Sequence, residues 1–210
     1  MIFLVNTSNK ADNKVLLQQA DDLTHKKYSL FERRKLHKSA LDSKRGDIIT
    51  TDDKCKPIAK LKPNETLYVV GHGDRENPVL SELNPQQLAN LLQAYGLNPR
   101  TKHLKIILVC CHSGHKLNML KPSFGELFYS ALINEIHELD RHHMKKEGSL
   151  LTVKAPKHVI GFRRVDGKAV GVKVKDFQAY EQTKEQFPDQ LDEWVEQNAS
   201  ELSKTDFQLL

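Results

Sequence analysis

Two short runs of the chain end in side chains that can do chemistry. One is VVGHGD, Val69 to Asp74, and the other is LVCCHSG, Leu108 to Gly114. Each is an aliphatic stretch that stops at a small cluster of polar residues and glycine. The first supplies His72, and the second supplies the adjacent pair Cys110 and Cys111, two of only three cysteines in the chain. A free thiol is a few per cent thiolate at neutral pH, and an imidazole held beside it raises that fraction. The same imidazole can then protonate a leaving amine. Gly71 and Gly73, on either side of His72, let a substrate backbone approach and free an amide N–H to point inward. The N–H of Gly73 and that of the nucleophile would form an oxyanion hole. Asp74 has two readings, as a group that orients His72 or as a cap for the following loop. Gly114 is read as the residue that permits a sharp turn out of the strand.

Such a pair works only if the fold brings the two loops together. TLYVVG (66–71) and LKIILVC (104–110) are continuous apolar runs, the mark of strands buried on both faces. Between them Asn84 is an N-cap, Pro85 sits at N1 and Gln87 at N3, with Leu83 and Leu88 placed for a hydrophobic staple. Leu88, Leu91, Leu92 and Tyr95 make the apolar face of that helix, and Gly96 stops it. Ser123 with Glu126 opens a further helix, with Phe124, Leu127, Phe128, Ala131, Leu132 and Leu139 on one face. IFLVN (2–6) reads as an opening strand. Ser29 with Glu32 reads as a capping box before a basic helix of about 15 residues. HVIGFRRV (158–165) and AVGVKVK (169–175) flank Asp166-Gly167, a hairpin signal. The acidic tail from Phe177 reads as helical, packed through Leu191, Trp194, Val195 and Leu202.

Strands alternating with helices imply an α/β sandwich with a largely parallel sheet, whose ligands bind at the carboxyl ends of the strands. The strand–helix–strand unit between the two motifs is short, so the strands are expected to be neighbours. Successive side chains of a strand point to opposite faces, so Cys110 and Cys111 cannot both look into one site.

Composition narrows the function classes. The chain has 210 residues and a net charge of +5. No apolar run approaches the roughly 20 residues that a bilayer span needs, so no membrane span is expected. Met1 to Val5 is an apolar patch with no basic region before it, which reads as a strand and not as a secretion signal. Two adjacent cysteines and one distant one make no disulfide framework, so a reducing, cytoplasmic setting is the simpler expectation. Basic residues cluster at 25–45, at 142–146 and from Lys154 to Lys175. A polyanion-binding surface is one reading of them, but interleaved exposed aromatics are scarce and nucleic acid is disfavoured as a partner. A zinc site built on Cys111 and His115, with Cys110 or His72, lacks the usual second ligand pair. His112 and His115 are read as solvent-facing loop residues, and no metal or resident cofactor is expected.

LYVVGHG, ending in His72-Gly73, followed 39 residues later by IILVCCHSG, resembles the caspase-like (clan CD) cysteine peptidases. In that group a hydrophobic strand ends in His-Gly. A second strand then ends in a small residue, followed by Cys and a nearby Gly. Cys110 stands in the small-residue place and Cys111 in the nucleophile place. Cys111 to Gly114 is similar to the legumain ending, while GHGD, the helix at SFGELFYSAL and the later basic hairpin are closer to the self-processing peptidase domains of large bacterial toxins. The chain departs from many members at Val109, where they carry Gln, Glu or Asp.

The resemblance covers roughly residues 2 to 175. It implies a caspase-like three-layer sandwich, a mostly parallel central sheet with helices on both faces, over residues 1–176, with a helical extension at 177–210. It implies a cysteine endopeptidase in which Cys111 and His72 cleave protein or peptide substrates, the chain itself among them, through a thioacyl-enzyme. It further implies an inositol polyphosphate activator, for which Arg163, Arg164, Lys168, Lys173 and Lys175 on the basic hairpin are the candidate contacts, and the role of a bacterial effector in a host cytosol. The readings beside it are a catalytically silent caspase-like binding module and a basic polyanion-binding adaptor. An exposed basic edge strand that resists aggregation is the plainer account of the hairpin.

Overall fold

The apolar runs line up as a single sheet. In the computed structural model, which describes residues 1–27, 48–50, 57–74, 77–99, 103–116, 121–134, 151–165 and 168–210, five strands run parallel. They are β1 (Ile2–Leu4), β2 (Ile48–Thr50), β3 (Thr66–Val70), β4 (Leu104–Val109) and β5 (Leu151–Pro156), in the order β2-β1-β3-β4-β5. A short β9 (Phe207–Leu209) pairs antiparallel with β5 at the edge. The Ser29–Glu32 capping box and its basic helix, Cys55, Leu139, the 142–146 cluster and the Asp166-Gly167 turn lie outside the described residues.

The period-two alternation of each strand divides the core. Phe3, Leu67, Val69, Leu104, Ile106, Leu108, Leu151 and Val153 point to one face, where they are buried against two helices. These are α2 (Pro85–Ala94) and α3 (Phe124–Asn134). Ile2, Leu4, Val70 and Val109 point to the other face, against Leu16, Ala20 and Leu23 of α1 (Lys10–Lys27). Each fully buried Leu or Phe of this kind contributes about 1.5–3 kcal/mol. The result is three layers, helices on both faces of a mostly parallel sheet, as the strand–helix alternation predicts.

Local chemistry sets the helix starts. Asn84 Oδ1 accepts from the Gln87 N–H at 2.9 Å while the Asn84 N–H donates to Gln87 Oε1 at 2.9 Å. Ser123 Oγ accepts from the Glu126 N–H at 3.2 Å, and the Ser123 N–H donates to Glu126 Oε2 at 2.8 Å. Both are complete capping boxes. Gly96 follows α2 with φ +96°, where a Cβ would press on Ala59, so glycine is required there. On α3, Phe124, Phe128, Ala131 and Leu132 are buried as expected, but Leu127 is exposed on the solvent side.

Beyond β5 the chain forms a second, antiparallel sheet of β6 (Val159–Val165), β7 (Lys168–Val174) and β8 (Ala199–Glu201). Val165 pairs with Lys168, which places the hairpin turn where Asp166-Gly167 predicts it. The hairpin packs on α1. The tail from Phe177 is not purely helical. It holds α4 (Phe177–Gln186) and α5 (Leu191–Asn198), joined through Tyr180 and Trp194, and then gives β8 to one sheet and β9 to the other. Among the described residues no helix is long and apolar enough to cross a membrane.

Candidate active site

β3 and β4 are hydrogen-bonded neighbours in parallel register, Val70 opposite Val109. Both strands therefore leave the sheet at the same height. His72 and Cys111, each two residues further on, come to the same carboxyl edge. The Gly71 N–H prolongs the ladder by donating to the Val109 carbonyl at 3.2 Å. The two loops then touch: a Cβ on Gly73 would overlap the carbonyl oxygen of Cys111. Gly73 is thus a close-approach glycine, one that lets the histidine loop lie on the cysteine loop.

His72 is held by Ser81, a residue that no local motif marks. The His72 N–H donates to Ser81 Oγ at 3.1 Å, and the Ser81 N–H returns a bond to the His72 carbonyl at 2.7 Å. Ser81 is buried and has a left-handed backbone, φ +47°. With Gly73 bridged to Leu80, these bonds tie the His72 backbone to the 80–81 segment. Nε2 of His72 is buried and meets no hydrogen-bond partner. Buried orphan groups of this kind are rare unless a ligand is meant to meet them. Asp74 is exposed, and its carboxylate accepts from the Asn77 N–H and Nδ2 at 3.2 and 3.1 Å. That geometry is the capping role; no bond from Asp74 to His72 occurs among the described residues.

The adjacent cysteines part ways as the strand pleat requires. Cys110 lies just past the end of β4, not within it, buried with Phe124 and Phe128 under α3. Burial pushes its thiol up to about 12, so it stays protonated. Cys111 turns to the opposite side and is half-buried. Its thiol donates to the Ile160 carbonyl of β6 at 3.8 Å. Burial raises this thiol too; of the charges on α4, Lys184 pulls it down and Glu181 pushes it up. The sequence leads one to expect an activated thiol here. Here burial shifts it the other way, and the hydrogen bond to Ile160 offsets that only in part.

The turn after Cys111 is made by His112, with φ +56°, and not by Gly114. Gly114 serves close approach instead, since a Cβ there would strike the Ala155 carbonyl. His112 is buried, against the expectation of a solvent-facing loop: its N–H donates to the His158 carbonyl at 3.1 Å and Nδ1 lies 3.3 Å from the Lys157 carbonyl. His112 and His115 make an edge-on ring contact at 5.7 Å.

The hairpin lysines are not equivalent. Lys173 is largely buried and ion-paired with Asp206 at 2.5 Å, and His158 Nε2 lies 3.5 Å from the same oxygen. Lys175 is exposed. The side chains of Arg163, Arg164 and Lys168 lie outside the described residues. Burial alone would raise the Asp206 carboxyl, but the Lys173 ammonium and the Ser203 N–H and hydroxyl outweigh it and hold it well below the usual carboxylate range.

No curated protein matches the sequence. The family model of the peptidase C80 family matches residues 8–157, more than half of the chain, and the match takes in both the His72 and the Cys111 loops. With a mostly parallel sheet that carries these two loops on one edge, the chain belongs to the peptidase C80 family and is a caspase-like cysteine peptidase of clan CD, of the toxin self-processing type.

Proposed function

We propose that Cys111 is the nucleophile and His72 its acid–base partner in the cleavage of peptide bonds, those of this chain included. The observation that carries the reading is the buried, unpartnered Nε2 of His72 on a loop packed against the backbone of Cys111. His72 takes the thiol proton, and the thiolate adds to the scissile carbonyl carbon. The amides of Gly73 and Cys111 receive the oxyanion. His72 returns the proton to the amine, the C–N bond breaks, and a thioacyl-enzyme remains. Water then loses a proton to His72 and adds to the thioester, which releases a carboxylic acid and the free thiol.

The resting thiol bears on regulation. It is bonded to Ile160, on the same hairpin that carries Arg163, Arg164, Lys168, Lys173 and Lys175. An inositol polyphosphate drawn to that hairpin would move β6 and free Cys111. Such a ligand and a reducing medium both belong to a host cytosol, which fits a bacterial effector. Because Lys173 is already paired with Asp206, Lys175 is the described hairpin lysine nearer to meeting the anion.

The test is a cleavage assay on the purified chain and on a peptide library, with and without inositol hexakisphosphate. New fragments that vanish in Cys111→Ala and in His72→Ala support the dyad. Cleavage that survives both substitutions overturns it. Cleavage that is equal with and without the polyphosphate removes the activator and leaves the dyad in place.

A further inference from the structure

The second face of the central sheet is unevenly covered. Val70 and Val109 are buried beneath α1 and β6. Two residues earlier in each strand, Tyr68, Ile107 and Lys154 stand side by side across β3, β4 and β5, and all three are only half-buried. Above this row lies a cavity of about 420 Å³. Leu23 and Ile160 line it, together with Leu202 and Phe207 from the tail. Its size falls in the range of small-molecule sites, roughly 300–1,000 Å³, and its lining is chiefly aliphatic and aromatic.

Two lysines break that apolar lining. Lys154 lies in the floor and Lys204 at the rim, and among the described residues neither ammonium has a hydrogen bond or an ion pair. Asp206, an acid two residues from Lys204, is already engaged by Lys173 and by the Ser203 hydroxyl, at 2.5 and 2.7 Å. Among the described residues nothing therefore answers these two charges. An apolar chamber with two unanswered cations fits a ligand with the same division.

We propose that this cavity binds a small anionic amphiphile, with its apolar body over Tyr68, Ile107 and Phe207 and a single carboxylate, sulfonate or phosphate head between Lys154 and Lys204. A polyphosphate is a poor occupant, since most of its charges would face aliphatic walls with no partner. A neutral hydrocarbon would leave both lysines as they are. The site does not depend on the peptidase chemistry, so each can stand without the other.

Titration calorimetry with decanoate, 1-decanol, inorganic phosphate and inositol hexakisphosphate tests it. Decanoate is expected to bind one per chain, decanol more weakly, and phosphate alone not at all. Lys154→Met and Lys204→Met should each weaken decanoate about tenfold, the loss of one charge-assisted bond, and leave decanol unchanged. Lys204 is exposed, so its variant tests the head-group contact without disturbing the core. Ile107→Trp should fill the chamber and abolish decanoate binding, with the thermal midpoint measured to show that the variant is folded. The proposal is overturned by an absence of decanoate heat, by decanoate binding that neither lysine variant weakens, or by hexakisphosphate binding through Lys154 and Lys204 where decanoate does not bind.

Discussion

The backbone of Gly73 lies directly on the backbone of Cys111, with no room between them for a methyl group. The obstacle is a carbonyl, which cannot rotate away as a side-chain tip can. Gly73→Ala should therefore separate the two loops while the sheet beneath them stays paired. A shift of about 1 Å is enough to lower the rate about 100-fold. The expected stability loss is about 1–3 kcal/mol. Cleavage kinetics beside a denaturant titration would separate the two effects.

The cysteine pair offers a sharper contrast. Cys111→Ala should abolish cleavage and leave the fold intact. Cys110→Ala should keep most of the activity and lose about 1 kcal/mol of stability from a small cavity under α3. His72→Ala should match Cys111→Ala, since members of one catalytic unit do not act additively. Active Cys111→Ala with dead Cys110→Ala would shift the assignment by one residue.

Ser81 acts through His72. Ser81→Ala removes the oxygen that accepts the His72 N–H and should destabilise the protein by about 1 kcal/mol. The turnover number should fall about tenfold with KM unchanged, because the imidazole loses its backing while the substrate contacts remain. Ser81→Thr should restore part of the rate. An unchanged turnover number in Ser81→Ala would leave the residue a purely structural role.

Asp206 ties the tail to the hairpin and should make the protein acid-labile. Its carboxyl titrates below the ordinary value of 3.8, so the stability it contributes is present above that pH and lost as the pH falls below it. Asp206→Ala leaves Lys173 buried without its partner and should destabilise by about 3 kcal/mol. Unfolding midpoints from pH 5 down to 2 should drop in the wild type as the pH passes below 3.8, and Asp206→Ala should show a weaker pH dependence.

The resting thiol of Cys111 titrates above its ordinary 9.0. Alkylation of the unliganded protein should therefore be slower at neutral pH than that of a cysteine peptide, and should climb as the pH passes 9.0. By the same linkage the folded state loses stability as the pH rises beyond that value, because the unfolded chain ionises first. Iodoacetamide rates across this range, read by mass spectrometry, check it. A fast neutral reaction at Cys111 would show a thiol already activated.

Much of the framework was legible in the sequence because strong local signals agreed. Two continuous apolar strands, two complete capping boxes and the Asp-Gly hairpin all lie where residue type predicts them. Helix α1 was not legible. Its buried stripe is only Leu16, Ala20 and Leu23, and Val15 and Leu17 face solvent, so the periodicity is thin. β5 escaped for a related reason: LTVKAP lacks the unbroken apolar run of LKIILV and ends at a proline. β8 and β9, three residues each, exist only through their partners. At the site, the order and spacing of the motifs pointed to His72, Gly73 and Cys111. The support from Ser81 and the cover from Ile160 depend on chain returning from 9 and 49 residues away, which no local pattern records.

Cys110 and Cys111 are neighbours in the chain that face opposite sides of the sheet. That orientation governs how the protein meets oxidants. Among the described residues a sulfenic acid formed at Cys111 has no resolving thiol within reach, because Cys110 is buried under α3 on the opposite face. Peroxide damage at Cys111 would then pass on toward the sulfinic and sulfonic acids, which cellular thiols do not reverse. While burial keeps the thiol raised above its ordinary value, that first step is slow, so the closed form shelters the sulfur and release exposes it to substrate and oxidant alike.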